Sequence, residues 1–235
     1  MIKFFRKIRQ NLLSEGKTGK YLKYAIGEIV LVMIGILLAL QINNWNEVKK
    51  INANLKEALN QINQDLKQDE INLKGFENSN VKRVSYLLKL TANDHNNFAF
   101  DSILKNLDDY FYFYKSNNAY SSLKSTGMFA SMENIELKNN LTSYYEQMYE
   151  RLKTVSEYGE TFTNDQVIPY TLLHLDYDEN MIVNEDLVKE KLVTTNLVQL
   201  AKYQINVKKF SLNLIAKAIK MNQNLRTEIE NELLK

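Results

Sequence analysis

Few residues in this 235-residue chain are placed to do chemistry, and the first is Glu28. It sits inside Ala25 to Ile42 (AIGEIVLVMIGILLALQI), a run whose only other polar side chain is Gln41. A carboxylate inside an apolar span is costly and is retained where it pairs with something or moves a charge. On a helix, Glu28, Gly35, Ala39 and Ile42 share a face. The spacing Gly35-x-x-x-Ala39 is of the small-residue kind that lets two helix backbones approach. The chemistry expected is therefore self-association, with Glu28 hydrogen-bonding to a neighbouring helix. A sharper alternative is ion coupling through Glu28. A plainer one is a tolerated carboxylate near the headgroups, its cost lowered by snorkelling and water.

Three other stretches invite a test. Tyr110 to Tyr114 is five consecutive rings, YFYFY, which could stack on a sugar or a partner if exposed but which read first as core filling. Asp176, Asp178 and Asn180 match the first half of a calcium loop. The pattern then fails at Met181, where the sharp turn needs Gly, and at Leu187, where a bidentate Glu belongs. His95 and His174, the only histidines, lack a zinc-like spacing. There is no H-E-x-x-H, no glycine-rich phosphate loop and no G-x-S-x-G. With no Cys, thiolate metal sites and Cys nucleophiles are excluded. No catalytic residue, metal site or cofactor is expected. A net charge of +2, with its basic excess near the start of the chain, gives no nucleic-acid patch.

The element that positions Glu28 reads as a membrane span over residues 21–43. About 20 apolar residues cross the hydrocarbon core, and Tyr21, Tyr24 and Trp45 mark the headgroup levels. The run is too long for a signal-peptide core, and Leu38-Ala39-Leu40-Gln41 is a poor cleavage site. Lys3, Arg6, Lys7, Arg9, Lys17, Lys20 and Lys23 precede it, so residues 1–20 are expected in the cytoplasm and residues 44–235 outside the membrane. Ile2, Phe5, Ile8 and Leu12 recur at helical spacing. Met1 to Leu13 is thus expected as an amphipathic helix whose Lys3, Arg6, Lys7 and Arg9 contact lipid headgroups. Ser14 to Lys20 reads as a turn.

The opening MIKFFRKIRQNLLSEGKTGKYLKYAIGEIVLVMIGILLALQINNWNE resembles that of a bacterial family of unknown function. The resemblance is carried by the basic arm, by Tyr21 with Tyr24 to Ile29, and by Leu40 to Glu47. It is close over the first fifth of the chain and looser around Tyr120 to Gly127 and Tyr144-Tyr145. It implies a single-pass protein of a Gram-negative inner membrane and brings no known activity.

Beyond the span, one Pro and seven Gly leave little room for a turn-rich β fold. Ile51, Leu55, Ala58, Ile62, Leu66 and Leu73 mark a helical face, with a break expected near Gly75 and Asn78 to Asn80. Asp101 and Asn118 are expected to cap short helices, and Gly127 to end one. Asn134 opens a helix carrying Leu137, Leu141, Tyr144, Met148, Leu152, Val155 and Phe162. Asn184 caps another that Thr194-Thr195 interrupt. A last helix runs from Asn196 to Lys235, with Tyr203, Val207, Phe210, Leu214, Ala218, Met221, Leu225 and Ile229 on its apolar face and Lys208 among its decorating charges. The fold expected is all-α: one transmembrane helix, then a periplasmic up-and-down helical bundle. The function expected is a non-enzymatic interaction, scaffold or sensing module. Its expected partners are the lipid bilayer, a second copy met through the span, and an unidentified membrane or periplasmic protein. The alternatives are an accessory subunit of an ion-coupled or transport complex using Glu28, and an enzyme with a distributed site.

Overall fold

The computed structural model describes residues 18–92, 95 and 98–235, with backbone alone at Thr18, Lys20 and Tyr21. The expected basic helix with Lys3, Arg6, Lys7 and Arg9, and most of the loop 93–97, lie outside the described residues. The structure is all-helical; among the described residues it holds one isolated antiparallel bridge, Tyr177 with Val183, and no strand. The chain divides into two compact units, residues 1–54 and 55–235.

The first helix, α1 (Thr18–Leu90), belongs to both units. It already includes Thr18 to Lys20, where a turn was expected. Within the first unit it is long and apolar enough to cross a membrane, and none of its most apolar window is buried. Large apolar side chains stand exposed all round it, among them Leu22, Ile29, Leu31, Ile34, Leu37, Leu38 and Ile42.

In the second unit α1 continues through Gly75 and Asn78 to Asn80 without the expected break. One Gly costs a helix interior only about 1 kcal/mol, while Leu73 and Asn80 on either side are buried. A Cβ at Gly75 would meet nothing within 4 Å. Gly75→Ala should therefore raise stability by about 0.5–1 kcal/mol in denaturant unfolding.

A 3-10 turn (Phe100–Ser102) leads into α2 (Ile103–Leu107). Asp101 lies inside that turn and caps nothing. After an extended stretch come α3 (Asn118–Ser125) and α4 (Met128–Ser131), separated by Gly127 at φ 76°, the left-handed conformation that Gly adopts without a Cβ clash. Asn118 is not the cap of α3. The neighbouring N–H of Ala119 instead donates to Asp65 of α1 at 3.2 Å, so a carboxylate from another helix does the capping.

Next, α5 (Ile135–Thr142), α6 (Tyr149–Phe162) and α7 (Ile168–His174) are joined by two π-helical turns, Ser143–Met148 and Thr163–Val167. Asn134 caps α5 as expected, accepting from the Leu137 N–H. Pro169 stands at the start of α7, where its missing N–H does least harm. Asn184 caps α8 (Glu185–Thr194), and α9 (Leu197–Leu233) closes the chain.

Antiparallel contacts run from α9 to α1: Lys56 to the Leu233 carbonyl, Arg226 to Glu70, and Asn222 to the Leu66 carbonyl. The apolar face of α9 holds from Leu214 to Ile229. Its first half is rotated from expectation: Tyr203 and Phe210 are exposed, and Ala201, Gln204, Ile205, Lys208 and Ser211 are buried instead. The physical reason lies in the carbonyls those polar side chains meet, described next.

Candidate functional site

In the first unit, Gly35 has open space around its Cα and Ala39 is exposed, while Glu28 is half-buried and engaged in an interaction of its own. Tyr24 and Trp45 are exposed, with the Lys49 ammonium 5.6 Å from the Trp45 ring centroid. The side chain of Tyr21 lies outside the described residues. Nothing in this unit brings a second polar group onto the Gly35–Ala39 surface among the contacts described.

The second unit holds two apolar cores. One gathers Leu59, Ile62 and Leu66 of α1, Phe111, the Leu137 to Val155 stripe, and Leu214 to Ile229 of α9. The other gathers Val84, Leu87 and Leu90, Phe100 to Leu107, Val167 to Val188, and Leu197 to Ile205. Every long element passes from one to the other through polar residues. On α1 this is Asn80; on α6 and the π turn after it, Ser156 and Thr163; on α9, Gln204, Lys208 and Ser211, all buried. The extended stretch crosses at Asp108 and Asp109, between Leu107 of one core and Phe111 of the other.

This buried polar layer is stitched to the extended stretch. Gln204 donates to the Leu107 carbonyl (2.9 Å) and to Thr163 Oγ1 (3.2 Å). Lys208 Nζ donates to the Asp109 carbonyl, and the Phe113 N–H donates to Ser156 Oγ (3.1 Å). A chain with no helical or sheet partner needs its backbone groups satisfied by side chains. That need draws polar residues of α9 inward and turns Tyr203 and Phe210 out. Along the stretch, side chains alternate: Phe111 is buried and Phe113 packs on the core, while Tyr112 and Tyr114 are exposed and lie 4.4 Å apart. The YFYFY run is thus part core and part surface, with the period of an extended strand.

Burial has electrostatic consequences in the layer. Lys208 is pushed down to about 7, first by burial and then by the nearby Arg83 charge, with Asp108 acting the other way. Asp108 is pushed up to about 6 by burial, partly offset by Lys208, and its Oδ1 accepts no hydrogen bond among the described residues. Arg83 forms an ion pair with Asp109. Beside this group opens a cleft of about 620 Å³, lined by Arg83, Lys105, Asp101, Asp108 and Asp109, with the tip of the 177–183 hairpin on its other side. At that tip Asp178 Oδ1 accepts the N–H groups of Asn180 and Ile182, both at 2.9 Å, and Met181 has φ 63°.

A second buried polar group lies within the first core. Asp69 of α1 accepts hydrogen bonds from Tyr149 and from Tyr144 (3.2 Å), and Asn222 of α9 donates to Tyr144 Oη (3.0 Å). Burial pushes the Asp69 carboxyl up to about 6, against the pull of the two phenols. The same burial raises the Tyr144, Tyr145 and Tyr149 phenols well above their ordinary range.

A family model, that of a family of unknown function (DUF6090), matches residues 28–167, more than half of the chain. The chain belongs to the DUF6090 family. The DUF6090 match begins at Glu28 and takes in Asp69, Arg83, Asp108 and the Tyr144 to Tyr149 turn; α8 and α9, with Lys208 and Asn222, lie beyond it. No curated protein and no solved structure matches the chain.

None of Asp69, Asp108, Lys208, Gln204 or Asn222 was singled out from sequence as a site residue. A signal existed for two of them. Asp69 falls between Leu66 and Leu73, and Asn222 between Ala218 and Leu225, at positions where the helical stripe calls for an apolar side chain.

Proposed function

We propose that this DUF6090 protein is a membrane-tethered, non-enzymatic interaction or sensing module. In this reading residues 21–43 span the inner membrane, residues 1–20 are cytoplasmic, and residues 44–235 form an up-and-down helical bundle on the periplasmic side. The observation that carries the reading is the coat of exposed Leu, Ile, Val and Met side chains on all faces of α1 between Leu22 and Ile42. In water such a surface drives aggregation; in lipid tails it carries no penalty. Self-association runs through the face that bears Glu28, Gly35 and Ala39.

Carbonate washing of membranes, followed by protease treatment of intact spheroplasts, tests the anchor and its orientation. The expected result is a protein that stays with the membrane and loses its C-terminal part while its first residues survive. Release by carbonate, or protection of residues 44–235 with digestion of the arm, would overturn it. The presence of Glu28 in the span favours one second reading, an accessory subunit of an ion-coupled complex. In-membrane crosslinking separates the two: Glu28→Gln lowers dimer yield if the carboxyl serves association, and leaves it unchanged if the carboxyl serves coupling.

A further inference from the structure

We propose that the aromatic groove between α6 and α9 docks the acidic 176–186 hairpin of a second copy of this chain, reciprocally across a two-fold axis. The contact lies wholly in the second unit. It goes beyond association through the span, and its failure leaves the anchor and the Glu28 face standing.

The groove has a volume of about 440 Å³, and its walls include Val155 and Tyr158 of α6 and Tyr203, Asn206, Val207 and Phe210 of α9. Tyr158, Tyr203 and Phe210 are exposed. The wall is set before any partner arrives: the Tyr158 and Tyr203 hydroxyls are hydrogen-bonded to each other, and Phe162 stacks on Tyr203 at 4.5 Å. An apolar patch with a polar rim has the anatomy of a protein contact. Here the rim is basic. Lys202, Asn206 and Lys209 share one stripe of α9, so both lysines stand at the groove's edge, and Lys217 shares a stripe with Phe210. From Leu197 to Thr227 the helix carries six cations and no acid. Lys202, Lys209 and Lys217 are exposed and have no ion-pair partner among the described residues. The occupant must therefore bring carboxylates together with apolar side chains.

The chain itself holds such a segment. Residues 176–186, DYDENMIVNED, carry five carboxylates and no cation. Met181 and Ile182 at the tip are half exposed, at 50% and 48%. The Tyr177–Val183 bridge and the Asn180 and Ile182 N–H groups donated to Asp178 Oδ1 hold the tip in shape, so docking orders little that was loose. Met181 and Ile182 then fill the aromatic groove while Asp176 and Glu179, both exposed, face its lysines. Hairpin and groove also stand at one level of the second unit. The tip lines a cleft with Asp108 and Asp109, and the groove backs onto the next residue, Tyr110. A Cβ on Gly159 would meet Tyr110 Cβ at 3.5 Å and Val207 Cγ1 at 3.9 Å. Copies lying side by side can then exchange hairpin for groove twice, which closes the assembly as a dimer.

The chain has no Cys, so introduced cysteines report contacts without background. Full-length F210C and M181C chains with different tags are co-expressed and oxidised with copper phenanthroline in the unfractionated lysate. The mixed disulfide dimer is expected to exceed the dimer of either variant expressed alone. K209E added to the F210C chain should cut the mixed dimer about fivefold, and E179K added to the M181C chain should restore it. A mixed dimer no stronger than the single-variant dimers overturns the proposal. So does a yield that K209E leaves unchanged, or a loss that E179K fails to restore. A bimane label on the F210C chain that shifts to the blue in phosphatidylglycerol vesicles and not in phosphatidylcholine, with no mixed dimer, assigns the groove to lipid and overturns the proposal as well.

Discussion

Deleting Gln147 should leave the second unit folded, whereas deleting Lys153, further along the same helical run, should unfold it. Gln147 is exposed and lies in the π turn Ser143–Met148, which holds one residue more than an α turn needs. Removing it lets the turn close as α-helix while Leu152, Val155 and Gly159 keep their phase. Lys153 lies in ordinary α-helix, so its loss rotates everything after it by about 100°. That turn carries Val155, Ser156 and Thr163 out of the interior and removes most of the roughly 5–15 kcal/mol by which a domain is stable. Thermal unfolding followed by near-ultraviolet circular dichroism reads both outcomes. The account is wrong if the two deletions unfold the unit alike.

Replacing Asp69 by Asn should stabilise the protein at neutral pH and change how its stability depends on pH. Burial raises the folded carboxyl to about 6, above its ordinary value of 3.8. A raised folded value means that the native state holds the proton more tightly. The contribution is therefore fully present below about pH 4 and is lost as pH rises through about 6. Keeping the ionised form buried then costs on the order of 2–3 kcal/mol at pH 7. The D69N variant should match the wild type near pH 4 and exceed it progressively up to pH 7, in denaturant midpoints taken at several pH values. Equal differences at all pH values would show that Asp69 does not titrate in this window. Lys208 acts with the opposite slope: its lowered folded value adds stability as pH rises above about 7.

Much of the helical plan was legible because apolar spacing and caps act locally. Asn134 and Asn184 accept the N–H groups that a cap should take, Gly127 has the left-handed φ that ends a helix, and the stripe from Leu137 to Val155 is buried. The π turns were missed because an inserted residue leaves no gap in composition. The trace of the first is the apolar doublets Tyr144-Tyr145 and Met148-Tyr149, where both neighbours are buried. Were residues 137 to 171 continuous α-helix, Thr171 would stand roughly 160° from the face of Leu137; the two π turns each absorb one residue and cut the offset to roughly 40°.

The polar layer was missed for a different reason. Lys208 and Gln204 are buried to serve carbonyls of Leu107 and Asp109, a hundred residues earlier. No helical period carries that information, because the demand comes from a loop and is met by a helix. A reading by apolarity alone therefore gave Tyr203 and Phe210 the inward positions. Gly75 misled in the other direction: its composition suggested an ending, and the packing of Leu73 and Asn80 overrode it.

Because buried side-chain hydrogen bonds from Gln204, Lys208 and Ser156 bridge the layer between the two cores of the second unit, each half has a hydrophobic closure of its own on either side of that layer. Amide protons of the half around Leu104, Val188 and Ala201 would then exchange as one cooperative block, and those around Leu66, Tyr144 and Leu214 as another.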